Sequence, residues 1–192
     1  QLALPDFADT QIVLDCAYQP LRLEGKLGLS AAQLDRVWQM WTPNKALGLT
    51  GVRGAYVIAP KLGAEHGCTR LEQLAPSWVL GCHAVAMLRA WVQPDTQSWL
   101  RHSVMLLRDW KVEQRERMLH LGWTVHPSVS NFFCVTPPME LGVDTETLLA
   151  RLREAGIKLR DTTSFGLPGS FRMAVLPSEA QEVLERELRG LV

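Results

Sequence analysis

Asp15 closes a short apolar run, Gln11-Ile12-Val13-Leu14-Asp15, which reads as a buried strand. In open α/β sheets, ligands bind beyond the C-terminal ends of the strands. A carboxylate there can accept a hydrogen bond from a protonated ring nitrogen, and Tyr18 can bring its phenol to the same ligand. An aspartate at a strand end is also a common turn or cap residue. Lys45 lies in Thr42-Pro43-Asn44-Lys45-Ala46-Leu47-Gly48-Leu49-Thr50-Gly51-Val52-Arg53, a loop rich in turn residues. A lysine amine becomes a useful nucleophile when desolvation or a nearby cation lowers its pKa. Arg53 supplies such a cation, and its planar fork can hold a phosphate through two bonds. Thr42 and Asn44 offer further donors. An ordinary solvated loop lysine fits the same spacing, and most lysines are solvated. Farther on, Arg160 ends one apolar run and Arg172 sits inside another, among Phe171, Met173 and Val175. An arginine within a buried strand needs a partner. A carboxylate ligand suits its fork, and so does a structural ion pair with an acid such as Asp161.

Positioning these residues requires strands and helices in a definite order. Residues 36–41 and 54–59 read as strands flanking the lysine loop. Ser30-Ala31-Ala32-Gln33 has the capping-box pattern that opens a helix. Residues 72–92 look helical and heavily apolar, with Pro94-Asp95 as a break. A long amphipathic helix follows over residues 97–121, closed by Gly122. Leu100, Val104, Leu107 and Met118 lie on its apolar side, and Arg108, Glu113, Arg115, Glu116 and Arg117 form a solvated face. The tail reads as strands at 123–125 and 132–135, a helix at 144–155 ended by Gly156, strands at 157–160 and 171–175, and a second capping box, Ser178-Glu179-Ala180-Gln181, opening a final helix. The pattern predicts an α/β protein. Residues 1–96 form part of one α/β domain, and residues 97–192 form a long helix with a small α+β domain.

Bulk properties narrow the function classes. The chain has 192 residues, 47% of them hydrophobic, and a formal net charge of zero. A nucleic-acid binder or polybasic membrane binder needs clustered positive charge. No apolar run approaches the roughly 20 residues that span a bilayer. Residues 1–6 lack the basic start and apolar stretch of a signal peptide, so a cytoplasmic location is expected. The tryptophans, Trp38, Trp41, Trp78, Trp91, Trp99, Trp110 and Trp123, are expected to fill the core and a subunit interface. Cys16, Cys68, Cys82 and Cys134 show no framework spacing and read as free thiols. His66-x-Cys68 and Cys82-His83 lack the ligand spacing of a structural zinc site, so no metal is expected.

Taken together, Asp15-x-Ala17-Tyr18 and Thr42-x-Asn44-Lys45-x-x-Gly48-Leu49-x-Gly51-x-Arg53-x-x-Tyr56 resemble the active-site core of fold-type-I pyridoxal-phosphate-dependent aminotransferases of class I/II. The resemblance is nearest to the group of histidinol-phosphate aminotransferase and threonine-phosphate decarboxylase. It continues through Asn131-Phe132 and Arg160-Asp161-x-x-Ser164-Phe165-Gly166-Leu167-Pro168 to Arg172, from about residue 8 to the end. What it implies is a C-terminal half: residues 1–96 as part of the large cofactor-binding domain and 97–192 as the connecting helix and small domain. Lys45 would attach pyridoxal 5′-phosphate and later move the substrate's α-proton. Asp15 would pair with the ring nitrogen, Tyr18 with the 3′ oxygen, and Thr42 and Arg53 with the phosphate. Arg172 would bind the substrate α-carboxylate and Arg160 a second anionic group, with Asn131 shaping the pocket floor. The implied reaction moves an amino group between an amino acid and a 2-oxo acid in a homodimer.

Cys16 stands where the family usually has an acid, Asn44 where it has a serine, and Gly54 is displaced relative to the usual Arg-x-Gly-Tyr run. Family members run to roughly twice this length. The chain is therefore expected to be a fragment whose N-terminal half is a separate or missing segment. Losing half the sheet should leave apolar surface uncovered. Two further readings remain: decarboxylation of an amino-acid phosphate on the same cofactor, and a non-catalytic binding module that has kept the fold.

Overall fold

The structure is a computed structural model that describes residues 10–61 and 64–190. Residues 1–6, read above for leader features, lie outside the described residues. The chain divides into two compact units, one running to His102 and the other beginning at Ser103.

The first unit is built on a three-stranded sheet in the order β1-β2-β3. Strand β1 (Val13–Asp15) pairs parallel with β2 (Trp38–Trp41), and β2 pairs antiparallel with β3 (Tyr56–Ile58). Helix α1 (Ala31–Leu34) lies between β1 and β2 in the chain, and its capping box forms as the sequence predicts. The Ser30 hydroxyl accepts from the Gln33 amide, and the Gln33 side chain accepts from the Ser30 amide at 2.8 Å. The buried-strand expectation for β1 is not met: Val13 is 60% exposed and Asp15 is exposed. Register places Val13, Trp38, Met40 and Val57 on one face. That face borders an apolar cavity of about 400 Å³, also lined by Leu71 and Leu74. Its strand residues are therefore only partly covered.

The single apolar helix expected over residues 72–92 is two helices, α2 (Glu65–Leu74) and α3 (Cys82–Trp91). Ala75 adopts an extended conformation because it precedes Pro76, and the residue before proline is driven out of the helical region. Pro94 stands at the break expected between two helices, just after the end of α3. It opens α4 (Pro94–His120), since a proline in the first turn loses no helical hydrogen bond. Gly122 then turns the chain away at φ +78°, as its C′ position requires.

The second unit holds an antiparallel sheet in the order β4-β5-β7-β6. Its strands are β4 (Thr124–Val125), β5 (Phe132–Thr136), β6 (Arg160–Asp161) and β7 (Phe171–Ala174), with helices α5 (Thr145–Glu154) and α6 (Ser178–Arg189). Alternation on β5 and β7 puts Phe133, Val135, Phe171 and Met173 on one buried face. Leu148 and Leu152 of α5, Leu184 and Leu188 of α6, and Trp123 are buried too. Burying a side chain such as Phe171, 0% exposed, stabilises by about 1.5–3 kcal/mol. The strand expected over 157–160 lies later, because Leu159 is buried while the ladder pairs Arg160 with Arg172 and Asp161 with Phe171.

Two expectations about the helices of this unit are corrected. The Ser178 capping box does not form, since α6 starts at Ser178 itself with no side-chain cap bond. The Ser178 hydroxyl instead donates to Glu113 at 2.6 Å, and buried Gln181 donates to the carbonyls of Trp110 and Leu176. The charged face of α4 is likewise not all solvated: Arg117 bridges Glu113 at 2.7 Å and Glu185 at 2.5 Å. Lys111 and Gln114 are buried. Lys111 donates to the Ser128 carbonyl, and Gln114 caps the end of β7 by donating to Ala174 O and accepting from Leu176 N. Of the tryptophans, Trp123 is buried, while Trp78 is 91% exposed and Trp99 is also exposed.

Candidate active site

In the first unit, the loop between β2 and β3 is compact because its side chains satisfy its own backbone. Thr42 Oγ1 donates to Gly54 O at 2.7 Å, and Asn44 Nδ2 donates to Val52 O at 3.3 Å. The Leu49 amide donates to Asn44 O and the Val52 amide to Leu49 O. Gly54 is needed for packing: a Cβ there would lie 2.9 Å from Ala84 Cβ on α3. Trp41 and Tyr56, register partners at the ends of β2 and β3, stack with centroids 6.5 Å apart.

A cavity of about 500 Å³ opens at the C-terminal ends of β1 and β2, lined by Asp15, Trp41, Thr42, Asn44, Arg53 and Leu80 among others. Asp15 Oδ1 accepts from the Ala17 amide at 2.8 Å. The carboxylate is thus oriented by its own turn, with an oxygen left for a ligand. Arg53 is exposed and makes no ion pair among the described residues. Asn44 is 5% exposed, and its Oδ1 is buried without a hydrogen-bond partner. Lys45 directly follows lining residue Asn44 and is half-buried, but is not itself part of the lining. Tyr18 is exposed at the start of a one-turn 3-10 helix, outside the lining. Cys16, where the family has an acid, is buried, and burial followed by the Asp15 charge pushes its thiol pKa up. It is therefore a structural thiol rather than a nucleophile.

In the second unit, Arg160 and Arg172 are direct register partners on β6 and β7. Both guanidinium groups lie over the Phe165 ring, at 4.5 and 5.8 Å from its centroid, and Arg172 also lies over Phe132 at 4.8 Å. Asp161 is not their partner. It accepts from the Thr163 amide and hydroxyl, and those bonds hold its pKa below the usual carboxylate range. Buried Thr162 ties the same loop by reaching the carbonyls of Leu167 and Ser170. Phe165 is thereby presented to the arginines on a loop that is internally bonded. Asn131 precedes Phe132, and its carbonyl accepts from Val175 N while its Oδ1 is buried and unpartnered. The clustering of Phe165 with both arginines was not expected from sequence. The aromatic residue within Arg160-Asp161-x-x-Ser164-Phe165 was its only signal.

The donors and acceptors in the first-unit cavity suit pyridoxal phosphate: a carboxylate for a ring nitrogen, an arginine without an ion pair among the described residues for a phosphate, and an adjoining lysine. Among the described residues no group of acidic, histidine and cysteine side chains is placed to hold a metal ion. No described helix is long and apolar enough to cross a membrane.

Residues 8–190 match the family model described as aminotransferase class I and II. The histidinol-phosphate aminotransferase of Haloquadratum walsbyi is 29% identical over 174 residues, which cover 90% of this chain and 43% of that protein. The histidinol-phosphate aminotransferase structure from Clostridium acetobutylicum aligns with a TM-score of 0.80 at 16% identity, over 96% of this chain and 55% of that one. The L-threonine-O-3-phosphate decarboxylase structure from Porphyromonas gingivalis aligns at 0.68 and 20% identity, over 97% and 56%. The chain thus spans about half the length of the relatives it matches. The fold is the mixed α/β fold of about half a fold-type-I enzyme, and, by a match running from residue 8 to residue 190, the chain belongs to the aminotransferase class I and II family.

Proposed function

We propose that this chain acts in a pyridoxal-phosphate-dependent aminotransferase, moving an amino group between an amino acid and a 2-oxo acid. The observation that carries the reading is the shared cavity of Asp15, Thr42 and Arg53 beside the loop that bears Lys45. Bound there, the cofactor supplies an electron sink for the substrate's α-carbon. Asp15 keeps a ring nitrogen protonated through its outward oxygen. Arg53 holds the phosphate through its fork. Lys45 would carry the cofactor on its amine and, once freed from it, could take up the α-proton, and Tyr18 would serve as the hydrogen-bond partner of the 3′ oxygen. Within the second unit, Arg172 is proposed to hold a carboxylate and Arg160 a second anionic group. Family members are typically homodimers, and a homodimer is proposed here.

The test is spectroscopic. Adding pyridoxal phosphate to the chain should produce the absorption band of a lysine-attached cofactor, and Lys45→Ala should abolish it. With an amino donor and a 2-oxo acid acceptor, the expected product is the new 2-oxo acid. Release of carbon dioxide in its place would overturn transamination, and absence of the band would overturn the cofactor reading itself.

A further inference from the structure

We infer that Phe165 is a positioning residue whose one ring seats the guanidinium groups of both Arg160 and Arg172, so that the two act together on a ligand with two anionic groups. The inference rests on the anion-binding reading of the two arginines above and deepens it.

The pair needs a seat because of where the sheet puts it. Arg160 and Arg172 stand directly opposite each other on β6 and β7, where like charges repel. Neither makes an ion pair among the described residues. Asp161, the adjacent acid, is taken by the Thr163 amide and hydroxyl. Two long side chains of like charge and without an acid would splay into solvent. Instead the Arg160 guanidinium lies 4.5 Å from the Phe165 ring centroid and that of Arg172 lies 5.8 Å from it. Both are within the roughly 6 Å over which a ring face attracts a cation. Arg172 has a second ring, Phe132, at 4.8 Å. Among the described residues, Phe165 is the one ring under Arg160. Loss of the Phe165 ring therefore releases Arg160 fully and Arg172 in part.

The loop is tied so as to hold that ring out. Phe165 ends the one-turn 3-10 helix Thr163–Phe165, and Gly166 reverses the chain directly after it at φ +78°, where a side chain would be strained. The Thr162 carbonyl accepts from the amides of Phe165 and Leu167, and the buried Thr162 hydroxyl reaches the carbonyls of Leu167 and Ser170. Phe165 nevertheless stays 48% exposed. Burial does not account for its place, whereas two cations over its ring do.

Phe165→Leu separates a seat from a filler, because it keeps an apolar side chain and removes the π face. Phe165→Tyr keeps both. In NMR spectra of the labelled chain, the Nε–H signals of Arg160 and Arg172 should carry ring-current shifts in the wild type and in Phe165→Tyr. In Phe165→Leu the Arg160 shift should vanish and the Arg172 shift should shrink. Titrated with succinate, Phe165→Leu should bind about two- to fivefold more weakly than the wild type, the worth of one exposed cation–π contact. Acetate meets one guanidinium at a time and should be bound nearly as before. In an Arg160→Gln background, adding Phe165→Leu should change succinate binding little, because the pair is already broken. Absence of the shifts in the wild type, or their persistence in Phe165→Leu, would overturn the seat. So would unchanged succinate binding in Phe165→Leu, an equal loss for acetate, or a Phe165→Tyr chain that behaves like the leucine variant. If the wild type binds neither anion, the anion-binding reading fails, and the ring-current shifts still decide whether Phe165 seats the pair.

Discussion

Two arginines placed opposite each other on neighbouring strands carry a cost that says what they are for. Arg160 and Arg172 share register and share the Phe165 ring, while Asp161 is turned toward Thr163. Like charges directly opposite in a sheet destabilise by about 0.2–1 kcal/mol. The ring offsets part of that through its π face. Replacing one charge should therefore stabilise the chain and weaken anion binding. Arg160→Gln is expected to raise the melting temperature slightly at low salt, an advantage that disappears at high salt as screening grows. The same variant should bind phosphate or a dicarboxylate more weakly by titration. Arg172→Lys should also lose affinity, because a point ammonium cannot replace a planar fork on a carboxylate. Asp15 behaves differently. Asp15→Asn leaves the turn intact in outline but removes the charge proposed to meet a ring nitrogen, so the cofactor absorption band should shift or weaken without a fall in thermal stability beyond about 0.5 kcal/mol.

At the scale of elements, α4 and α6 are joined by charge as well as by packing. The Glu113 pKa is depressed, first by the Ser178 hydroxyl and then by Arg117. The Glu185 pKa is depressed, first by Arg189 and then by Arg117. A carboxylate with a lowered folded pKa stabilises the fold at pH above its unfolded value. That contribution fades as pH falls through the lower folded value. The ordinary glutamate value is 4.5, so melting temperature should hold steady above that pH and fall below it. Asp144 and Asp161, both depressed by hydrogen bonds from threonine, act in the same direction. In Arg117→Met the acid-side decline should be shallower, since Glu113 and Glu185 lose a shared partner. A decline as steep as the wild type's, in a scan of melting temperature against pH, would show that the bridge plays no part. The sheet side of this unit is more sensitive: Phe171→Ala should cost about 3–5 kcal/mol by chemical denaturation, because the ring is fully enclosed.

Across the whole molecule, burial is unevenly distributed. In the second unit, strands and helices surround a continuous set of buried residues from Trp123 to Leu188. In the first, Val13, Val57, Leu74, Trp78 and Val79 are exposed, and the strands β1 to β3 have few buried side chains. Few buried apolar contacts mean low local opening energies. Hydrogen exchange of the chain should therefore be faster over β1 to β3 than over β5 and β7. A hydrophobic dye should bind the wild-type chain, as expected for large uncovered apolar surface. Equal protection of both sheets, or no dye binding, would contradict this reading of the exposed faces.

Much of this was legible in the sequence because its signals are local. Ser30 and Gln33 specify a capping box from their spacing alone, and Gly122 marks the end of a long helix. The types and spacing of Asp15, Lys45, Arg53 and Arg172 carry the family resemblance that the match over residues 8–190 bears out. Other features depend on residues distant in the chain. Ser178 was free to cap its own helix until α4 brought Glu113 within 2.6 Å. Thr42 finds Gly54 O only when the returning limb of its loop brings that carbonyl within 2.7 Å. Arg160 and Arg172 became a pair only when β6 and β7 aligned, and Phe165 joined them only through the loop held by Thr162. Spacing along the chain determines which groups are available, whereas a polar group's partner is whichever donor or acceptor folding brings into reach, and only the tertiary structure decides that.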